Sequence, residues 1–278
     1  WINVGLLDSH HVSRILINPN NTDEVVVGVI GHLYSSNLER GIFKTINGGE
    51  TWTKTLFINE NTGVIDVAVA PQNFNIMYAA SWERERKAWN FDGDGNSSSI
   101  YKSIDAGNSW TKIADKSGFP TGDGVGRIGL AVFNENTVYA LHDSQFRRPK
   151  DEAKKASDDL SKEDFKTMSS ADFLNLEDKK LNIYLKDNGF QEKYRAENVK
   201  QMVRVGSVKP IDLAKFLEDA NAMLFDTQVV GAEVFKTTNG GTSWKKTHDN
   251  FLDGVYSSYG YYFGEIRVDL QDENGIYV

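Results

Sequence analysis

Short apolar runs separated by turns dominate the first and last parts of the chain. Apolar and polar positions alternate within these runs, as they do in strands that bury one face of a sheet. Four pairs of such runs occur, at residues 13–29, 64–81, 129–141 and 265–278. The pattern predicts an all-β fold built from antiparallel strand pairs.

The middle of the chain, residues 146–230, has a different period. Apolar residues recur there three and four positions apart, which is the spacing of one face of a helix. The segments with this period are 161–168, 172–187, 196–206 and 210–225. Residues suited to helix starts or ends are Ser161 with Asp164, Pro210, Gly189 and Gly206. We therefore predict a small helical insertion, either an outer cap or a lid, between strand-rich parts at 1–145 and 231–278.

Three turns in the strand-rich parts share one pattern: KTINGGETW at 44–52, KSIDAGNSW at 102–110 and KTTNGGTSW at 236–244. The Asn or Asp at the third position after Lys can accept hydrogen bonds from backbone N–H groups. The Gly at the fifth position after Lys can adopt a positive φ. Each turn thus suits a hairpin covered by its Trp. With the insertion removed, the repeat is about 50 residues long and holds four strands, which indicates β-propeller blades.

These turns resemble the Asp-box, S/T-x-D-x-G-x-T/S-W, of bacterial-neuraminidase-type repeats, with Asn in place of Asp in two of them. The whole chain most resembles the sortilin-type propellers of bacteria, which are often labelled glycosyl hydrolases. The segments that carry this resemblance are DSHHVSRI at 8–15, WERERKAWNF at 82–91 and LEDANAMLFDTQVVGAEVFKTTNGG at 217–241. The resemblance implies an extracellular, periplasmic or cell-surface protein. It implies either a binding module for a glycan or a peptide or protein, or a glycoside hydrolase.

In Asp-box propellers, the loops between strands two and three and between successive blades form one face. Most of the aromatic, basic and histidine side chains outside the turns fall on these loops or on the adjoining inner strands. The resemblance therefore gives the following ligand-binding candidates: His10, His11, Arg14, His32, Tyr34, Trp82, Arg84, Arg86, Trp89, Arg127, His142, Tyr259 and Tyr261. Asp143, Asp253, Tyr256 and Tyr262 lie on the same loops.

Asp66 and Glu265 occupy equivalent depths on two inner strands and are the candidate catalytic residues. A glycosidase requires two carboxyl groups about 5–10 Å apart across a groove. The alternative is that each carboxylate forms an ion pair with a nearby arginine, Arg14, Arg127 or Arg267. Sialidases of this repeat class use a triad of arginines. The arginines of this chain lack the flanking pattern that would show which of them correspond to that triad. Xyloglucanase-type enzymes have their catalytic acids at the cleft between two propellers. This chain holds less than one propeller, so those acids cannot be assigned to residues of this chain.

Two groups of residues are candidate metal ligands. His10, His11, His32 and His142 lie on three loops without a dense ligand motif, and the alternative is that they form hydrogen bonds across the loop face. DGDGN at 92–96 offers Asp92, Asp94 and Asn96 as a calcium site. Ser97 and Ser103 stand where a complete calcium loop would have Gly and Glu, so a solvated turn is the alternative. We expect no other cofactor.

The composition excludes several classes of binding partner and several kinds of site. The 278 residues hold 31 basic and 39 acidic side chains, a net charge of −8, which argues against nucleic-acid binding. Basic and acidic residues balance within 146–230, so the negative charge belongs to the strand-rich parts. There is no cysteine, which excludes disulfides and thiolate sites, and no apolar run long enough to span a bilayer.

The repeat also predicts that the propeller is partial. Trp1 matches the Trp that closes a preceding turn, and GIYV at 275–278 falls within the second strand of a further blade. Three complete blades and two partial ones would leave exposed sheet edges. We therefore expect further blades from the same chain or from another chain.

Overall fold

The computed structural model describes residues 2–148, 160–216, 229–252, 255 and 260–278. They belong to two compact units, one formed by residues 1–147 with 229–278 and the other by residues 148–228. Trp1, the loop residues Asp253, Tyr256 and Tyr259, and the segment 217–228 lie outside the described residues.

The first unit contains three antiparallel sheets of four strands each, with the strands in sequence order. The first sheet consists of β1 (Val12–Asn18), β2 (Asn21–Val29), β3 (Gly41–Thr45) and β4 (Thr53–Leu56). The second comprises β5 (Thr62–Ala70), β6 (Asn73–Glu83), β9 (Ser99–Ser103) and β10 (Thr111–Lys112), with the two-stranded ribbon β7 (Glu85–Arg86) and β8 (Phe91–Asp92) inserted between β6 and β9. The third holds β11 (Val125–Val132), β12 (Val138–Arg147), β13 (Val229–Thr237) and β14 (Lys245–Lys246). The predicted all-β, antiparallel class is confirmed.

A short helix and a hairpin follow the third sheet. The helix, α6, is Gly260–Phe263. The hairpin pairs β15 (Arg267–Asp269) with β16 (Asp272–Tyr277). Besides the β7–β8 ribbon, the described residues therefore form three four-stranded sheets and one two-stranded hairpin.

Apolar side chains fill the spaces between consecutive sheets. Val26 and Ile42 of the first sheet pack with Val64, Val67 and Met77 of the second. A larger cluster joins the second sheet to the third, and its members include Tyr78, Trp82, Ile100, Ile128, Leu130, Phe235 and Trp244. Another cluster joins the third sheet to the last hairpin through Leu141, Val234 and Ile266. Burying these faces is the main hydrophobic stabilisation of the unit.

The three repeated turns have the same hydrogen bonds. In the second turn, the Ser103 hydroxyl accepts the Gly107 N–H at 2.9 Å, and the Asp105 carboxylate accepts the Ser109 N–H at 2.9 Å. Thr45 and Asn47 make the equivalent bonds in the first turn, as do Thr237 and Asn239 in the third. The glycines at the Gly107 position have φ of 77–93°. The shape of each turn is therefore set by its own side chains, and one backbone N–H of each turn also binds a distant carbonyl, that of Asp23, Asn75 or Asn136.

Within the part of the second unit that the structure describes, five helices surround an apolar core. They are α1 (Lys162–Thr167), α2 (Ser170–Asn175), α3 (Asp178–Asp187), α4 (Ala196–Arg204) and α5 (Pro210–Phe216). The core contains Phe165, Phe173, Leu181, Leu185 and Val199. Among the described residues, no helix has the length and apolar character needed to cross a membrane.

The single helix predicted over 172–187 is divided in two, and this part of the prediction was wrong. The division follows Leu176, whose carbonyl accepts the ammonium of Lys200 from α4. Lys200 also pairs with Asp178 at 2.6 Å at the start of α3. The predicted start at Ser161 is confirmed, since the Asp164 carboxylate accepts its N–H at 2.8 Å.

The turn chemistry gives the first testable prediction. Asp105→Ala should lower the free energy of unfolding by about 1–2 kcal/mol, because the variant loses the side-chain bonds to Ser103 and Ser109. Asp105→Asn is the matched control, since Asn occupies the same position in the other two turns. Urea unfolding of the three proteins measures the difference. Equal loss in both variants would show that the turn depends on charge rather than on hydrogen-bond geometry.

Candidate functional site

Arg14 joins the two carboxylates that the sequence singles out. Its Nε lies 2.7 Å from Asp66 Oδ1, and its Nη2 lies 2.6 Å from Glu265 Oε2. The second oxygen of Asp66 accepts the backbone N–H of Leu130 at 2.9 Å. The first strands of the first three sheets and the segment before β15 are therefore linked through one guanidinium and one carboxylate.

Glu265 has two further arginine partners. Arg127 Nη2 lies 3.2 Å from it and Arg267 Nη2 lies 2.7 Å from it. Partial burial acts to raise the pKa of Glu265, but hydrogen bonds from Arg14 and Arg267 outweigh that effect and the pKa is lowered. Glu265 is therefore held as a carboxylate.

Asp66 and Glu265 therefore both form ion pairs with arginine, as in the alternative to the catalytic role. Asp66 is buried, with both oxygens occupied by Arg14 and by a backbone donor, and Glu265 is surrounded by arginines. A glycosidase acid needs a pKa raised toward neutrality, which this arrangement does not provide for Glu265. The geometry gives Asp66 and Glu265 a role in joining the sheets and does not support the predicted catalytic role.

The segment that carries Trp89 forms the ribbon of β7 and β8. Lys87 N–H donates to the Asn90 carbonyl at 2.8 Å, which closes the ribbon with Trp89 at its tip, 84% exposed. At its base, the Phe91 ring lies 4.7 Å from the ring of Tyr261 on α6. Arg86 lies over the Phe91 ring at 5.2 Å. The ribbon and α6 therefore form one surface, which we call the aromatic surface.

Other exposed aromatic side chains adjoin Tyr261. Tyr262 and Phe263 of α6 are 67% and 61% exposed, and their rings are 5.0 Å apart. Arg127 supports this helix, because its Nη1 donates to the carbonyls of Tyr261 and Tyr262 at 3.1 and 2.7 Å. Arg127 is thus a support of the aromatic surface, where the sequence predicts a ligand contact.

Two predicted ligand contacts are buried. Trp82 is 3% exposed and donates its Nε1–H to the Gly93 carbonyl at 2.7 Å, so it belongs to the core, with Arg84 over its ring. His142 is fully buried beside Phe119 and Phe235, and burial lowers its pKa despite Glu233 at 3.3 Å. Neither side chain reaches a ligand at the surface, because both lie within long strands rather than in the loops after them.

The histidines occupy separate environments. His10 and His32 have stacked rings with centroids 3.8 Å apart, whereas the Nδ1 of His11 is hydrogen-bonded to the Gly31 carbonyl at 2.9 Å. Tyr34 lies in the same loop as His32 and is 66% exposed. Of the four histidines proposed as metal ligands, the structure brings only His10 and His32 together.

Two of the three candidate ligands in the DGDGN segment have hydrogen-bond partners in the protein. Asp92 accepts the Asn90 side-chain amide at 3.1 Å, and the Asn96 amide donates to Asp123. Burial, followed by the charges of Asp92 and Asp123, raises the pKa of Asp94. Calcium binding by Asp92, Asp94 and Asn96 stays a prediction.

Asp143 is an ionisable group to which the sequence gives no role. It lies on β12 and is 3% exposed; its Oδ1 accepts the Gln145 amide at 2.9 Å, while its Oδ2 is buried with no hydrogen-bond partner among the described residues. Burial is the main reason that the pKa of Asp143 rises to about 7, and the charge of Asp94 adds to it. Sequence reasoning cannot identify such a carboxyl group, because its burial depends on the neighbouring sheets.

Comparisons with known proteins match structures but not sequences. No protein-family profile and no curated protein matches this chain. The chain is similar in structure to the GH74 xyloglucanase from Xanthomonas campestris (11% identity, TM-score 0.45), to the GH74 enzyme of Niastella koreensis (14%, 0.47) and to an ancestral GH74 enzyme (13%, 0.38). The matches cover 95%, 95% and 97% of this chain but only 26%, 27% and 29% of those chains. This chain therefore spans less than a third of the length of those enzymes.

The arginine network gives a second prediction. Arg14→Met should lower the free energy of unfolding by about 2–4 kcal/mol, because it leaves buried Asp66 and the neighbouring Glu265 without their shared partner. Arg267→Met removes another partner of Glu265, but the Arg267 side chain is 60% exposed. This variant should change the free energy of unfolding by less than about 1 kcal/mol. Urea denaturation at neutral pH compares the two. Equal effects would contradict a joining role for Arg14.

Asp143 gives a third prediction. Its pKa is near 4 in an unfolded chain and about 7 in the folded protein, so the folded state binds the proton more tightly. Its contribution to stability is therefore greatest below pH 4, falls as the pH rises from about 4 to 7, and stays low above 7. Asp143→Asn should raise the free energy of unfolding above pH 7 by roughly 2–4 kcal/mol. It should also remove the fall in stability that Asp143 causes between about pH 4 and pH 7.

The control for Asp143→Asn is Asp115→Asn, because the Asp115 side chain is 73% exposed. Chemical denaturation of the wild type and both variants at several pH values from 4 to 8 gives the required comparison. If Asp143→Asn follows the wild-type pH dependence, the carboxyl group is already ionised at neutral pH.

Proposed function

We propose that this chain is part of a β-propeller and that its aromatic surface binds a glycan, with a peptide or protein segment as the alternative ligand. The observation that carries the proposal is the contact between Phe91 and Tyr261, which combines the ribbon and α6 into one surface with exposed Trp89, Tyr262 and Phe263. A place outside the cytoplasm, at the cell surface or in the periplasm, is part of the same proposal.

The chemistry of this surface suits a ligand with apolar faces and polar edges. Exposed rings offer flat apolar area, and the neighbouring Arg86 offers hydrogen-bond donors for hydroxyl or carbonyl oxygens. Pyranose rings present both kinds of group, with C–H groups on their faces and hydroxyls at their edges. The ion pairing of Asp66 and Glu265 favours binding over hydrolysis at this surface.

Trp89→Ala tests the proposal, and we expect it to weaken binding at least tenfold, since its exposed ring would provide ligand contact rather than core packing. The measurement is retention on a panel of xyloglucan, pectins, algal glycans and immobilised peptides. Ile104→Thr is the control, because Ile104 is 70% exposed but lies in a turn at the opposite end of the sheets. Unchanged retention of every bound ligand by Trp89→Ala would refute the proposal, and selective retention on peptides would assign the alternative ligand.

Glycoside hydrolysis is the second candidate function, and Asp143 is the observation that favours it. A carboxyl group whose pKa is about 7 stays partly protonated at neutral pH, as the general acid of a glycosidase must. Asp94 is the nearby carboxylate whose charge acts on it. Because Asp143 is 3% exposed, we rank hydrolysis below binding. Reducing-sugar release by the wild type that disappears in Asp143→Asn would reverse this order.

A further inference from the structure

Asp8, His10 and His32 meet at the beginning of the first sheet. Each offers one ligand atom, and these atoms all lie within 4.8 Å of one another. The Nε2 of His32 is 2.8 Å from Asp8 Oδ1, and the rings of His10 and His32 stack with an interplanar angle of 19°. Asp8 and His10 precede β1, whereas His32 follows β2, so the two segments converge at the loop end of this sheet.

We propose that Asp8, His10 and His32 form a binding site for a divalent transition-metal ion of the zinc type. Two imidazole nitrogens and one carboxylate oxygen are donors that zinc accepts, at distances of about 2.0–2.2 Å. Tetrahedral bonds of that length place ligand atoms roughly 3.4 Å apart. The candidate atoms already lie within 4.8 Å of one another, but the nearly parallel rings of His10 and His32 must turn out of their stack to direct both nitrogen lone pairs at one ion. Calcium and magnesium prefer six or more oxygen ligands and do not suit this donor set.

Neighbouring polar groups hold the His32 ring and the Asp8 carboxylate in position. Ser35 Oγ is 2.9 Å from His32 Nδ1, which directs the Nε2 of that ring toward Asp8. The Asn37 amide donates to the Asp8 carbonyl at 2.7 Å and to Asp8 Oδ2 at 3.2 Å. In metal sites, outer partners of this kind fix the ring and carboxylate orientations and contribute to affinity.

Buried Arg40 fixes the loop that carries His32. It is 2% exposed, and its guanidinium donates to the main-chain carbonyls of Ile30, His32 and Ser35 at 2.7–3.0 Å. Its Nε donates to Asn37 Oδ1 at 2.9 Å, and the same oxygen accepts the His32 N–H at 3.1 Å. One side chain therefore organises both the His32 backbone and the amide that orients Asp8, so these two parts of the site are positioned without an ion.

Two further observations concern the charge and backbone of the site. Glu39 Oε2 accepts the Asp8 N–H at 2.8 Å, so a second carboxylate adds negative potential beside the ligands. His10 has φ of 53°, a left-handed conformation that is uncommon for a residue other than glycine. The alternative role for these residues is an Asp8–His32 ion pair without a metal, which would give no saturable metal binding.

Isothermal titration of the metal-stripped full chain with zinc chloride tests the site. We expect about one ion bound per chain, and at least a tenfold weaker binding in His10→Ala and in His32→Ala. His11→Ala is the matched control, because His11 is the adjacent histidine and its Nδ1 is engaged by the Gly31 carbonyl. Zinc should also raise the melting temperature of the wild type and of His11→Ala more than that of His10→Ala.

Folding is controlled by comparing circular dichroism and melting without metal. His10 is the decisive position should His32→Ala unfold, because His10 is exposed and His32 has more hydrogen bonds to its loop. Cobalt(II) provides a second probe, since a tetrahedral site with nitrogen and oxygen ligands gives intense visible absorption bands. Absence of saturable zinc binding, or equal zinc binding by the wild type and His10→Ala, would overturn the proposal.

Discussion

The double pairing of Arg14 is the interaction on which the arrangement of the sheets depends. Its guanidinium reaches Asp66 on the second sheet and Glu265 before β15, and Asp66 in turn accepts a backbone N–H of the third sheet. Apolar packing between sheets is strong but not directional, so it tolerates sliding. Charged hydrogen bonds do not tolerate sliding, because a buried carboxylate that loses its partner is strongly unfavourable. The network therefore fixes the relative heights of the first strands and, with them, the positions of the loops at that end.

What the sequence predicts well is what the chain determines over short distances. In the turn of Ser103, Asp105 and Gly107, the bonds made by the Ser103 and Asp105 side chains join residues at most four positions apart, so the motif is sufficient to predict them. The antiparallel strand pairs and the helix starting after Ser161 follow from local patterns in the same way. The division of α2 from α3 is not local, because Lys200 in another helix binds the carbonyl at the break.

The candidate site shows the same limit more clearly. The sequence pattern assigns Trp82 and His142 to the loops between strands two and three, but β6 and β12 extend to Glu83 and Arg147 and keep both side chains inside. Where a strand ends depends on its partners, which a single sequence does not display. Asp8 illustrates the opposite error. It is an exposed aspartate of ordinary appearance, and only its contact with His32, 24 residues away, gives it importance.

Unusual ionisable groups are concentrated at the loop end of the sheets. Arg40 is buried, and its donors are satisfied by neutral oxygens; burial lowers its pKa. Asp143 is buried with one oxygen unsatisfied among the described residues, and its pKa is raised. The turns at the other end also hold a buried charge, Lys44, but there an opposite charge compensates it, since Glu24 lies 2.7 Å away. Energetically unfavourable groups persist in folded proteins mainly where function requires them. The asymmetry between the two ends of the sheets is therefore an argument, independent of any exposed aromatic ring, that function belongs to the loop end.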